Sequence, residues 1–126
     1  MADPLQKGLS GDERAVLERF VEVLEVRLGP RLQAVWLFGS RARGDIDRPD
    51  DSDIDILVIA DDASWQSKGE IHSALDAAAH ELALDRVAWY FSVHVQTPEW
   101  LRQRREIRSF FIAEVDRDKI VLSGQA

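Results

Sequence analysis

The chain has 126 residues, of which 45% are hydrophobic and 31% charged; it carries a formal charge of -7 and contains no cysteine. One core can be buried in a chain of this size, but there is no room for separate catalytic and substrate domains. The missing thiols exclude disulfides, thiolate nucleophiles and thiolate zinc sites, and the acidic balance argues against sequence-independent binding along a nucleic-acid duplex.

In chain order, Ser10 and Glu13 have the spacing of a capping box, and Val16, Phe20, Val23 and Leu24 then form one apolar stripe. This predicts a helix over about residues 11–28, ended by Gly29 and Pro30. LQAVWLF, residues 32–38, reads as a buried strand, and GSRARG supplies a turn with a short helix from Ser40. A polar loop, DIDRPDD, leads to a second strand, SDIDILVIA, residues 52–60. Between Ser64 and Leu84, the residues Ile71, Leu75, Ala78, Ala79 and Leu82 recur at helical spacing. RVAWYFSVHVQ, residues 86–96, alternates as a third strand, with Val87, Trp89, Phe91, Val93 and Val95 on one face and Ser92, His94 and Gln96 on the other. Pro98 opens a helix at PEWLRQRR, more helix follows over Ile107–Val115, and DKIVLSG closes as an edge strand. The expected fold class is α/β (α+β): a single domain over 1–126 with a motif core at 32–60, a small mixed sheet of about four strands, and helices mainly on one side. No apolar run is long enough to cross a bilayer, and MADPLQKG lacks the apolar stretch of a secretory signal, so a cytoplasmic location is expected.

The chemistry concentrates in FGSRARGDIDRPDDSDIDILV, residues 38–58. Side chains alternate along a strand, so Asp53 and Asp55 project from one face while Ile54 and Ile56 enter the opposite layer. Two like charges there oppose each other's ionisation unless a divalent cation sits between them, and oxygen ligands favour Mg2+ or Mn2+. Upstream, Gly39 lets backbone approach a phosphate, Ser40 offers a hydroxyl, and Arg41 and Arg43 add fixed positive charge. A phosphate-binding turn beside a metal-binding pair has the parts needed to move a nucleotidyl group. The plainer alternative for Arg41 and Arg43 is a solvated helix face.

Gly-Ser, a spacer and Asp-x-Asp on the next strand resemble the signature of the DNA polymerase beta-like nucleotidyltransferase superfamily, and most closely its minimal prokaryotic members. The resemblance implies that Asp53 and Asp55 are catalytic and hold Mg2+ or Mn2+, and that Gly39, Ser40, Arg41 and Arg43 hold a nucleoside triphosphate, with ATP the expected one. It further implies AMP transfer to a hydroxyl of a partner protein, a small helical HEPN-domain protein paired with the chain in a toxin-antitoxin module. Self-association is left open. Relatives in the superfamily also carry a third carboxylate on a later strand, where this sequence offers Ser92, His94 and Gln96; Asp85 and Glu99 lie outside that strand. A second reading follows from that departure: a nucleotidyltransferase-fold binding module that neutralises or regulates its partner by covering it.

Other residues are read more plainly. His94 is a polar-face residue, with a base or a ligand to a softer metal as the alternative. His72 and His80 are structural. Trp36, Trp89 and Phe91 are assigned to the core, RQRREIR over 102–108 to a solvated helix face, and Trp65 or Trp100 to a contact surface.

Overall fold

A computed structural model describes residues 5–44 and 53–126, apart from the side chains of Gln6 and Lys7. The polar loop DIDRPDD and the first residue of the expected second strand, Ser52, lie outside the described residues. The elements run α1 (Leu5–Gly8), α2 (Gly11–Leu28), β1 (Leu32–Phe38), α3 (Ser40–Arg43), β2 (Ile54–Ala60), α4 (Trp65–Glu81), a 3-10 turn (Asp85–Tyr90), β3 (Phe91–Gln96), α5 (Pro98–Glu106), α6 (Phe110–Asp118) and β4 (Ile120–Gly124).

The sheet order is β3-β2-β1-β4. β1 pairs antiparallel with both β2 and β4, whereas β2 and β3 are parallel, joined by a crossover through α4. A parallel pair needs such a crossover because no tight turn can return the chain to the starting end of the sheet.

α2 begins as its sequence dictates. The Ser10 hydroxyl accepts from the Glu13 amide at 3.2 Å, and the Glu13 carboxylate accepts from the Ser10 amide at 2.8 Å. Its Val16, Leu17, Phe20 and Leu24 are fully buried with Ile71, Ala74 and Ala78 of α4 against Val35, Leu37, Ile54, Ile56 and Val58 of the sheet. The two long helices therefore share one face. On the other face Trp36, Leu57 and Ile59 pack against Ile112 and Val115 of α6, with Trp100 and Leu101 of α5 at the margin. Trp36 is completely enclosed: its indole nitrogen donates to the Gln125 carbonyl at 2.7 Å, and Lys119 Nζ lies 3.9 Å from the ring centroid.

The third strand is shorter than its alternation predicts. It starts at Phe91, opposite Ile54, where β2 itself starts, and residues 85–90 coil into the 3-10 turn. Upstream of Phe91 the described β2 has no residue left to pair with, so Trp89 is 79% exposed and not part of the core. Phe91 itself packs against the core as expected. His72 and His80 are exposed on α4, with His80 Nδ1 3.0 Å from Asp85, and Trp65 is 89% exposed.

Candidate active site

Register puts three side chains at one level of the sheet face that α6 only partly covers. Asp55 on β2 pairs with Phe38 at the end of β1 on one side and with Ser92 on β3 on the other. Because the strand period is two, Asp53 falls on the same face just ahead of β2, while Ile54 and Ile56 are fully buried beneath. The Asp53 charge adds to the cost of ionising Asp55.

Gly39 closes the site from the β1 side. It holds φ 75°, a left-handed conformation that favours glycine, and caps α3 by accepting from the Ala42 and Arg43 amides at 3.1 and 3.2 Å. A methyl group on Gly39 would lie 2.5 Å from Asp55 Oδ2. The turn and the carboxylate are therefore in direct van der Waals register, which the spacing of the motif alone does not reveal. Gly44, at φ 79°, ends α3 one turn later with its amide donating to the Ser40 carbonyl.

The two arginines part company. Arg41 is buried, its Nη1 donating to Glu13 at 2.8 Å and to the Gly8 carbonyl at 3.0 Å. A side chain on Gly8 would overlap the Arg41 carbonyl oxygen, so α1 packs backbone to backbone beneath the turn. This places the Arg41 guanidinium in a brace between α3 and the start of α2. Arg43 stays 43% exposed, 3.6 Å from Asp118 at the end of α6.

Burial pushes the Asp55 carboxyl above its ordinary value; His94 opposes that rise and the Asp53 charge adds to it. The pair is thus strained as bare anions, and a cation held between them would relieve it. Two carboxylates offering only oxygen are a fitting donor set for a hard divalent ion such as Mg2+, which keeps much of its shell as water or substrate oxygen. Among the described residues, no group of three or more histidines and carboxylates stands close enough to hold a metal by itself.

The β3 side carries what the motif does not predict. His94, exposed, sets its Nε2 3.3 Å from the Ser92 hydroxyl, and its ring lies 5.7 Å from that of Phe38 at a tilt of 54°. Phe38 is met edge-on by Phe111 of α6 at 5.6 Å, and Phe111 by Trp100 at 6.4 Å. An aromatic ledge therefore runs from the carboxylate pair towards α5. Alternation predicts the polar face of β3; the ledge depends on the packing of α6 and has no sequence signal of its own.

The chain belongs to the polymerase beta nucleotidyltransferase family, whose model matches residues 21–112. A 50-residue stretch is 40% identical to a putative protein adenylyltransferase of Methanocaldococcus jannaschii, covering 40% of this chain and 48% of that one. The chain thus spans about half the length of that curated relative. Among solved structures, a chain of a toxin-antitoxin crystal structure with AMP-PNP superposes with a TM-score of 0.51 at 26% identity, over 86% of this chain and 73% of its own. A mutant form of the MntA-HpeT toxin-antitoxin pair gives a TM-score of 0.50 at 25% identity, over 86% and 72%. No helix among the described residues is long and apolar enough to cross a membrane.

Proposed function

We propose that the protein transfers a nucleoside monophosphate, AMP from ATP, to a hydroxyl on a partner protein, with Asp53 and Asp55 holding Mg2+ or Mn2+. The observation that carries this reading is the seating of the Asp55 carboxylate against the Gly39 backbone, beside Asp53. It joins a phosphate-sized turn to an anionic pair that calls for a cation.

In this reading the Gly39–Ser40 turn receives the β- and γ-phosphates, with the Ser40 hydroxyl and the partly exposed Arg43 guanidinium as donors. Arg41 serves the nucleotide from below, by fixing the turn through Glu13 and Gly8. A divalent cation bound by the aspartates supplies neutralisation of the charge that builds on the phosphoryl oxygens. The partner fits the context of the structural neighbours, which are toxin-antitoxin complexes, one of them with AMP-PNP. A small helical HEPN-type protein encoded beside this chain is the acceptor we assign.

The experiment incubates the chain, alone and with its co-encoded helical neighbour, with ATP labelled at the α-phosphate and Mg2+, using Asp53→Asn as control. Label on the neighbour that vanishes in the variant is the expected result. A tight complex without label supports the second reading, a module that acts by covering its partner; the lack of a third metal-ligating group among the described residues favours that alternative.

A further inference from the structure

Phosphoryl displacement places the attacking and leaving oxygens roughly in line. With the leaving pyrophosphate at the Gly39–Ser40 turn on the β1 side, the attacking hydroxyl enters across the aspartates, over β3. Register puts Ser92 directly beside Asp55 there, and His94 one pleat further along on the same face. Diagonal neighbours of that kind lie roughly 7–8 Å apart at the backbone, a gap that long side chains bridge.

A hydroxyl attacking phosphorus must lose its proton to something. Aspartates that hold a cation have their lone pairs committed to it, and no third carboxylate or histidine joins them closely enough to complete a ligand cluster among the described residues. His94 stands on the same strand face as Ser92, and its surroundings suit the task. Its ring is reachable from solvent, yet it is steered from two sides, by the Ser92 hydroxyl at 3.3 Å and by the Phe38 ring at 5.7 Å. Phe38 is itself held by Phe111, so the orientation traces back to the packing of α6 on the sheet.

We infer that His94 is the proton acceptor for the attacking hydroxyl, with Ser92 as the residue that positions its ring. The inference rests on the nucleotidyl-transfer reading above and names a catalytic side chain for it. The Ser92 hydroxyl meets Nε2 and steadies the ring, and an imidazole takes a proton at the ring nitrogen that holds its lone pair. As the acceptor oxygen bonds to the α-phosphorus, the bond from that phosphorus to pyrophosphate breaks. The hydroxyl proton moves to that ring nitrogen, and pyrophosphate leaves with the electron pair. Among the described residues, Asp55 on β2 is a charged group that interacts with His94, while β1 and α6 present Phe38 and Phe111.

The test compares wild type, His94→Asn, His94→Asp, Ser92→Ala and Asp55→Asn in full-length protein, by label transfer from α-labelled ATP to the co-encoded partner across pH, and by binding of unlabelled ATP·Mg2+. His94→Asn should keep nucleotide affinity within about threefold while transfer falls by ~10²–10⁴-fold, the usual worth of a general base. The acid limb of the wild-type pH profile should vanish in His94→Asn. It should move to lower pH in His94→Asp, with part of the rate restored. Ser92→Ala should lose about tenfold and keep the limb, consistent with a positioning role. Transfer lost in Asp55→Asn but intact in His94→Asn, with an unchanged pH profile, overturns this inference alone. Absence of transfer by the wild-type chain overturns it together with the reading on which it rests.

Discussion

The two faces of the sheet are built for different purposes. Under α2 and α4, Val35, Leu37, Ile54, Ile56 and Val58 are all completely enclosed. On the opposite face the cover thins along the strands, from fully buried Trp36 and Leu57 beneath α6 to the half-buried Asp55 and exposed His94 two residues along their strands or across to β3. One face stores the free energy of folding and the other ends in a ledge where polar groups can meet a ligand. Substitutions on the first should act on stability, and those on the second on ligand and rate.

The sharpest way to break that division is from the enclosed side. Phe20→Ala removes a ring with no exposed surface, and should cost about 3–5 kcal/mol in denaturant unfolding. Arg41→Ala should cost somewhat less, about 1–3 kcal/mol, because the part-buried Glu13 keeps only its Ser10 amide bond. Burial pushes the Glu13 carboxyl up, but hydrogen bonds from the Arg41 guanidinium and the Ser10 amide outweigh it and leave the group below its ordinary 4.5. A depressed carboxyl stabilises the fold above its unfolded value and loses that contribution as pH falls through the folded one. Acid should therefore unfold the wild type more steeply than Glu13→Gln in melts followed below pH 4.5.

Gly39→Ala probes the boundary between the faces. The added methyl meets Asp55 Oδ2 at 2.5 Å and the backbone sits at φ 75°, so a loss of about 1–3 kcal/mol should accompany weaker Mn2+ and ATP binding by titration calorimetry. Asp55→Asn separates stability from function. Since burial raises its carboxyl above the unfolded 3.8, metal-free protein loses stability as pH climbs from that value through the folded one. Removing the charge should raise metal-free stability at neutral pH by about a few tenths of a kcal/mol after solvent screening, while abolishing transfer. Trp89→Ser should do least, within about 0.5 kcal/mol, because that ring is 79% exposed.

How far the sequence reaches follows from the range of the forces involved. The helix stripe and capping box of α2, the Asp53–Asp55 alternation and the Gly39–Ser40 turn are local patterns, and each is found where its periodicity places it. Trp89 misleads because alternation marks residues able to line a strand, whereas a strand also needs a neighbour to bond, and β2 supplies none before Ile54. The bond from Arg41 to Glu13, 28 positions away, has no local signal either, since only the fold brings the two together. The ledge of Phe38, His94, Phe111 and Trp100 unites four elements, and only packing brings them together.

Gly8 links remote chain to chemistry. Its carbonyl accepts from Arg41 and its bare α-carbon presses on the backbone of that same residue, so α1 acts as a wedge under the Gly39–Ser40 turn. An amputation ending at Gly8, or a bulky replacement there, should slacken the turn and blunt its grip on triphosphate, although no atom removed would itself contact the nucleotide.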